Sequence, residues 1–230
     1  TLGYLEGRPY APAGDDWDRA CAHWLTLCSD DGASFDKEVL IEARAIEPMV
    51  TWGTSPEHAV VIDSAVPDPA GESDSGRQQA MCKALDYMAL SPGTAMTDIP
   101  IDAAFIGSCT NSRLSDLRLA ASFLEGRSIA AGVKGVVVPG SSSVKAAAEA
   151  EGLDRIFRAA GFEWREAGCS MCFYAGGESF GPGKRVISST NRNFEGRQGP
   201  GTRTHLASPL TVAASACEGY IRRARVAAGD

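Results

Sequence analysis

Three cysteines in two separate stretches have the type and spacing to bind a metal. Cys169 and Cys172 form a C-x-x-C pair, and Cys109 lies sixty residues before that pair. A lone C-x-x-C is compatible with a redox disulfide, half of a zinc site or part of an iron–sulfur site. Because no second C-x-x-C exists, a closed four-ligand zinc site is hard to complete. Three thiolates without a fourth suit an iron–sulfur cluster with one iron open to substrate, although buried structural cysteines fit the spacing equally well.

Two arginines could bind a small anion. Arg192 and Arg197 lie five residues apart in the glycine-rich stretch 191–199, directly after a strand-like run. The planar guanidinium group donates paired hydrogen bonds to carboxylate or phosphate groups. A solvated basic loop, or ion pairs with Glu195 or Glu218, is the competing interpretation. Nucleic-acid binding is disfavoured because no aromatic side chains are interleaved with the basic ones.

The stretch 107–113 is predicted to turn from a strand into a helix. Backbone N–H groups at this helix start, with the side chains of Thr110, Asn111 and Ser112, could donate hydrogen bonds to cluster sulfides. An ordinary N-cap formed by Asn111 or Ser112 is the simpler interpretation, and both can hold together.

The composition indicates a globular protein of a reducing compartment. The 230 residues are 44% hydrophobic and 22% charged, with a net charge of −7, which disfavours nucleic acid and anionic membranes as partners. Apolar runs are far shorter than the ~20 residues of a membrane span. Seven cysteines are an odd set without disulfide density, so we expect a cytoplasmic location. Four of them are expected to be core thiols on apolar helical faces: Cys21, Cys28, Cys82 and Cys217.

Strand-type and helix-type periodicities alternate in the second half of the chain. The predicted strands are 103–106, 133–138, 162–165 and 185–189, and the predicted helices are 112–125 and 143–160, the latter ending at Gly161. This alternation predicts an α/β fold with a parallel or mostly parallel sheet flanked by helices, in three α/β/α layers. Ligands bind at the carboxyl ends of such strands, which here carry Cys109, Cys169 and Asn191.

The first half of the chain is less regular. We predict helices over 15–27 and 77–90, strands over 35–46 and 59–62, and a loop over 66–76. A domain boundary is expected near residue 95, which gives a partial domain and linker over 1–95 and an α/β domain over 96–230.

The stretches 105–113, 168–172 and 191–197, in this order, resemble the aconitase superfamily, and most closely its isopropylmalate isomerase branch. The similarity extends over essentially the whole chain. Supporting stretches are 50–54, 138–141, 148–154 and 203–206. The resemblance implies an aconitase-like fold and an iron–sulfur hydro-lyase. Such an enzyme dehydrates a hydroxy-dicarboxylate and rehydrates it with the hydroxyl moved by one carbon, here from 2-isopropylmalate to 3-isopropylmalate.

The resemblance also implies roles for particular residues. The ligands of a 4Fe–4S cluster would be Cys109, Cys169 and Cys172; the groups that bind substrate carboxylates would be Arg192, Arg197 and Asn191; the neighbours of the cluster would be Ser108 and Asn111. The fourth iron would bind the substrate.

Other parts of such an enzyme are expected on other polypeptides. The resemblance covers only the C-terminal half of the large subunit, so we expect an N-terminal half and a small subunit that supplies the serine base as partners. The chain alone is therefore expected to be inactive. Thr190 and the stretch 173–178 depart from the leucine-pathway pattern, which leaves open a hydroxy-acid isomerase of specialised metabolism. A cluster-free binding or assembly fragment of the same fold is the alternative from a different class.

Overall fold

Residues 1–174 and 177–224 are described by the structure, a computed structural model. The chain divides into two units, 1–46 and 47–230. The first unit contains helices α1 (Leu2–Leu5) and α2 (Asp15–Trp24), and α2 confirms the helix predicted over 15–27. The predicted boundary near residue 95 stays a prediction.

The strand predicted over 35–46 is wrong. This segment is irregular apart from a 3₁₀ helix at Ala43–Ala45. Val39, Leu40 and Ile41 are 67%, 89% and 68% exposed. A strand exists only where a neighbouring strand pairs its backbone N–H and C=O groups, and the described part of this unit contains no such neighbour.

The second unit contains the sheet. Its strands are β1 (Met49–Thr51), β2 (Ala59–Val61), β3 (Ala103–Gly107), β4 (Lys134–Val138), β5 (Phe162–Trp164), β6 (Arg185–Ser188) and β7 (Arg203–Leu206). Its helices are α3 (Ser75–Met88), α4 (Leu114–Leu124), α5 (Ser142–Ala150), α6 (Leu153–Ala160) and α7 (Pro209–Glu218). Every strand predicted within this unit is present, as are the helices predicted over 77–90 and 112–125. Within the described residues, no helix is long and apolar enough to span a bilayer.

Strands β3 to β7 form one parallel sheet in the order β5-β4-β3-β6-β7. Strands β1 and β2 form an antiparallel pair. The sheet with its flanking helices is consistent with the predicted three-layer α/β/α, aconitase-like fold. Since all five strands run in one direction, their carboxyl ends share one edge.

The two faces of the sheet are buried by different parts of the chain. Ala104 and Ile106 of β3 join one apolar cluster with residues of α4, α6 and α7. Ala103 and Phe105, which alternate with them, join a second cluster that includes Met171 from the C-x-x-C segment. Helices α4, α6 and α7 therefore pack on one face, and the cysteine loop packs on part of the other.

Two predictions need correction in detail. The helix expected over 143–160 is two helices, α5 and α6, because Gly152 takes a left-handed conformation with φ +77° between them. Gly161, with φ +99°, ends α6 as predicted. Strands β1 and β7 and helix α7 were not predicted.

Candidate functional site

The predicted site residues lie in three loops at the carboxyl edge of the sheet. Cys109 follows β3 by two residues, Cys169 follows β5, and Asn191 and Arg192 follow β6. Strand β4 lies between β5 and β3, and neighbouring strands are ~4.8 Å apart. The loop after β5 can therefore reach the loop after β3 only if it crosses the sheet.

The C-x-x-C loop does cross the sheet. Ser170–Cys172 form a 3₁₀ turn, in which Cys172 N donates to the carbonyl of Cys169 at 2.8 Å. Met171 and Cys172 are 1% and 8% exposed and pack in one cluster with Phe105 of β3 and Val138 of β4. The loop therefore extends from the end of β5 towards the strand that carries Cys109, whereas Cys169 itself remains exposed.

Arg165 stabilises this loop through its side-chain contacts, and no sequence pattern predicted this role. Its guanidinium group donates to Ser170 Oγ at 3.3 Å and to Glu178 at 2.5 Å, and also pairs with Glu163. Ser170 itself has φ +44°, a left-handed conformation that is uncommon for a residue other than glycine. The turn between the two cysteines is thus held by side-chain contacts as well as by its own backbone.

The arginine loop contacts the cysteine loop directly. Arg197 is 6% exposed, and its Nη2 lies 3.1 Å from Sγ of Cys172. Tyr174 N donates to the carbonyl of Arg197 at 2.6 Å. Arg197 Nε is buried and has no hydrogen-bond partner in the described part of the chain. A buried N–H group of a charged side chain normally has an acceptor, so this atom indicates an acceptor that the polypeptide does not supply.

Arg192 and Asn191 are exposed at the same edge. Within residues 1–174 and 177–224, the side chain of Arg192 forms no hydrogen bond or ion pair with protein. Glu195 instead pairs with Lys83, 3.8 Å away. The ion pairs between these arginines and Glu195 or Glu218, considered as a competing interpretation, are therefore not formed.

The Cys109 loop is attached to the end of β6. Asn111 Nδ2 donates to the carbonyl of Ser189 at 2.7 Å, and Gly107 N donates to Ser189 Oγ at 3.1 Å. Ser189, which the sequence did not single out, is fully buried. Cys109 is exposed, and its Sγ lies 3.8 Å from Thr110 Oγ1, while Ser108 is 3% exposed.

The expected N-cap of α4 is wrong. The capping residue is Arg113, whose backbone N–H donates to Asp116 Oδ2 at 3.0 Å. Helix α4 begins at Leu114, so Asn111 lies two residues before the cap position, and its amide Nδ2 instead donates to the carbonyl of Ser189. Ser112 Oγ is fully buried without a partner in the described residues.

Gly140, at the end of β4, allows the close approach of the Cys109 loop. Its backbone N–H donates to the carbonyl of Ser112 at 2.9 Å. A Cβ at position 140 would lie 2.8 Å from that same carbonyl oxygen and 3.3 Å from the carbonyl of Ser108. Glycine is therefore required here by space.

The remaining cysteines do not fit one description. Cys28 and Cys82 are exposed, so the expectation of a core thiol is wrong for both, and Cys21 and Cys217 are partly exposed. Among the described residues, no three His, Cys, Asp or Glu side chains are grouped so as to hold a single metal ion.

A buried histidine connects β1 to β6 and β7 beside the site. His205 Nδ1 donates to the carbonyl of Thr51 at 2.6 Å, so Nε2 accepts from Arg185 Nη1 at 3.0 Å. Burial first, and then the positive charge of Arg185, lower the pKa of His205 to about 3. Burial likewise lowers the pKa of Arg185 to about 10. His205 is therefore neutral wherever the protein is folded near neutral pH.

Tyr87 of α3 supports the arginine loop. Its hydroxyl accepts from Gly196 N at 2.8 Å and donates to the carbonyl of Thr202 at 2.9 Å. Burial raises the pKa of this phenol. Tyr87 lies 109 residues before Gly196, which explains why local sequence patterns did not indicate the contact.

A parallel sheet that carries cysteine and arginine loops at one carboxyl edge defines the class of fold, and sequence comparison defines the family. The profile of the aconitase family (aconitate hydratase) matches residues 1–219. The chain belongs to the aconitase family, and the resemblance inferred from its motifs is confirmed.

Two relatives are similar over nearly the whole chain. The 3-isopropylmalate dehydratase large subunit of Cupriavidus necator is 67% identical over 218 residues, covering 95% of this chain and 82% of that protein. The 3-isopropylmalate dehydratase large subunit 1 of Bradyrhizobium diazoefficiens is 56% identical over 225 residues, covering 98% of this chain. The chain spans 47%, about half, of the length of the Bradyrhizobium protein.

Proposed function

We propose that this chain is part of an aconitase-type hydro-lyase that converts 2-isopropylmalate into 3-isopropylmalate in leucine biosynthesis. The names of the two relatives support the substrate, and the family supports the reaction class. The contact that carries the proposal is the 3.1 Å approach of Arg197 Nη2 to Cys172 Sγ, because it places a buried cation for a carboxylate beside a thiol for a metal.

The donors fit a 4Fe–4S cluster held by Cys109, Cys169 and Cys172. Arg197 Nη2 lies 3.1 Å from Cys172 Sγ, and Arg197 Nε is buried without an acceptor among the described residues, which supports a negatively charged group bound near this arginine. Cluster ligands bind different irons, so three thiols do not need the close grouping that one ion would require. Ser108 and Asn111 would lie next to the cluster on the Cys109 side.

The bound cluster would supply a Lewis-acidic iron that makes the substrate hydroxyl a better leaving group. The residues of this chain would bind and orient the substrate. Arg192, exposed and without a protein partner among the described residues, is suited to a carboxylate that arrives from solvent. Arg197 and Asn191, in the same loop, would bind the same substrate molecule. Together these contacts would hold the carbon that loses its hydroxyl in one position.

Other groups of the active site would come from outside these 230 residues. A small subunit would supply the serine base, and an N-terminal half of the large subunit would complete the substrate site. The name "large subunit" carried by both relatives supports a small-subunit partner. We place the assembled enzyme in the cytoplasm, since exposed cysteines persist as free thiols in a reducing compartment.

Anaerobic reconstitution with iron and sulfide tests the cluster. We expect about four irons per chain and a broad absorbance at about 400 nm, with a large loss of both in Cys109→Ser, Cys169→Ser and Cys172→Ser. Cys82→Ser is the matched control, because this exposed thiol lies on α3 and should leave the iron content unchanged. Equal iron binding by a chain that lacks all three ligand cysteines would favour a cluster-free fragment instead.

Turnover tests the substrate. We expect no isomerisation of isopropylmalate by the chain alone, because loss of a positioned general base typically costs about 10²–10⁴-fold. Activity should appear when the N-terminal half and the small subunit are added. A reconstituted assembly that acts on another hydroxy acid and not on isopropylmalate would contradict the proposed substrate.

A further inference from the structure

The side chain of Gln198 bonds to both the cysteine loop and strand β7 of the sheet. It is fully buried. Its Nε2 donates to the carbonyl of Met171 at 2.9 Å, and its Oε1 accepts from Thr204 Oγ1 at 3.0 Å. Both ends of the amide are therefore used inside the protein, where an unpaired amide would be costly.

The Met171 carbonyl needs this donor. Met171 lies between the two cysteines of the C-x-x-C pair and is 1% exposed, so water reaches almost no part of this residue. Gln198 sits on the arginine loop, and Thr202 Oγ1 bonds to its backbone carbonyl at 3.3 Å. The side chain therefore spans from a loop fixed on β7 to the turn that carries Cys172.

Two neighbouring contacts link the same two loops. Arg197 reaches Cys172, and the next residue, Gln198, reaches Met171, the residue before Cys172. Together with the bond from Tyr174 N to the carbonyl of Arg197, these contacts connect the two loops at adjacent positions. The contact from Arg197 ends on the sulfur itself, whereas the contact from Gln198 ends on backbone and leaves the sulfur free to bind another group.

We infer that Gln198 is a positioning residue, which holds the C-x-x-C turn so that the Cys172 sulfur stays beside Arg197. A role of this residue in cluster binding rests on the function proposed above. Methionine at this position would fill the same space without hydrogen bonding. Asparagine would keep a buried amide, but it is one methylene shorter and cannot reach Met171 and Thr204 together.

Alkylation of the metal-free chain tests this inference without any need for activity. The reduced protein is treated anaerobically with iodoacetamide, and the modification rate at each cysteine is read by mass spectrometry. The exposed Cys109 serves as the internal reference. In Gln198→Met, we expect the Cys172 rate relative to Cys109 to rise by about tenfold or more, because a turn without its tether opens more often.

Leu124→Ala is the matched control for general destabilisation. Leu124 lies in α4, in the apolar cluster on the other face of the sheet, and its truncation should lower the melting temperature without changing the Cys172 to Cys109 ratio. Gln198→Asn is the second variant, to be used if Gln198→Met does not fold. An unchanged ratio in a folded Gln198 variant, or an equal rise in Leu124→Ala, would overturn the inference. Failure of iron binding by the parent chain would instead count against the proposed function.

Discussion

Arg197 Nη2 lies 3.1 Å from Cys172 Sγ, so a buried guanidinium from the loop after β6 contacts a thiol from the loop after β5. These strands are separated in the sheet by β4 and β3. The contact exists because the cysteine loop crosses the sheet face and packs on Phe105 and Val138. A thiolate at Cys172 would thus be held beside the positive charge of the buried Arg197.

Replacement of Arg192 by lysine should reduce catalysis and leave stability unchanged. Lysine keeps the charge but loses the planar pair of donors. In the assembled, reconstituted enzyme we expect kcat/KM to fall by about tenfold, or ~1.4 kcal/mol of transition-state binding, with intact cluster absorbance. Arg77→Lys, at another exposed arginine, should retain full activity. A lower Tm with normal kcat/KM would mean that Arg192 stabilises the fold and does not bind substrate.

Alanine at position 140 should destabilise the protein. The added methyl group would lie 2.8 Å from the carbonyl oxygen of Ser112, which is backbone and cannot rotate away. We expect a loss of about 1–3 kcal/mol in the free energy of unfolding, measured by urea denaturation. Gly71→Ala is the control, because nothing lies within 4 Å of its Cβ position, and its effect should stay within about 0.5 kcal/mol. Equal stability of the two variants would show that the loop after β3 yields easily.

Removal of the Tyr87 hydroxyl should loosen the arginine loop. Tyr87→Phe leaves the Gly196 N–H and the Thr202 carbonyl without their partner, which should cost about 1–3 kcal/mol in the free energy of unfolding. Amide hydrogen exchange at Gly196 should accelerate in the same variant. Tyr220→Phe, at a tyrosine that is 42% exposed, should change neither quantity. Unchanged exchange at Gly196 would contradict the proposed support.

Acid should weaken the fold through His205. Its pKa is about 3 in the folded protein, against about 6.5 in an unfolded chain, so below pH 6.5 only the unfolded state gains a proton there. The stability contributed by the neutral ring is complete above pH 6.5 and is lost as the pH falls towards 3, at up to ~1.4 kcal/mol per pH unit. Denaturation curves at pH 7.5 and 5.5 measure this loss.

His205→Asn provides the comparison for the pH experiment. Asparagine can still donate to the Thr51 carbonyl but does not titrate, so this variant should be less stable at pH 7.5 and lose less stability between pH 7.5 and 5.5 than the parent chain. His23→Asn, at an exposed histidine, should keep the parent's pH dependence. An identical loss in His205→Asn and the parent would assign the acid sensitivity to other groups.

Local sequence patterns were sufficient for most of the sheet and for the positions of the site loops. Apolar runs over 103–106, 133–138, 162–165 and 185–189 coincide with β3 to β6, because residues buried on both faces of a parallel sheet form short continuous apolar stretches. The same patterns failed over 35–46. An extended apolar segment becomes a strand only where another strand accepts its hydrogen bonds, and the segment does not contain that information.

By itself, the sequence determined the α/β class, the aconitase family and the set of cysteines and arginines at the strand ends, since these depend on residue type and short-range spacing. The tertiary structure alone decided which of these side chains are buried and what they contact. The pairs Arg197–Cys172 and Gln198–Met171 join residues 25 and 27 positions apart, and Tyr87 reaches Gly196 over 109 positions. Such contacts form only when the sheet brings loops from different strands to one edge, because hydrogen bonds act over distances of about 3 Å in space and not along the chain.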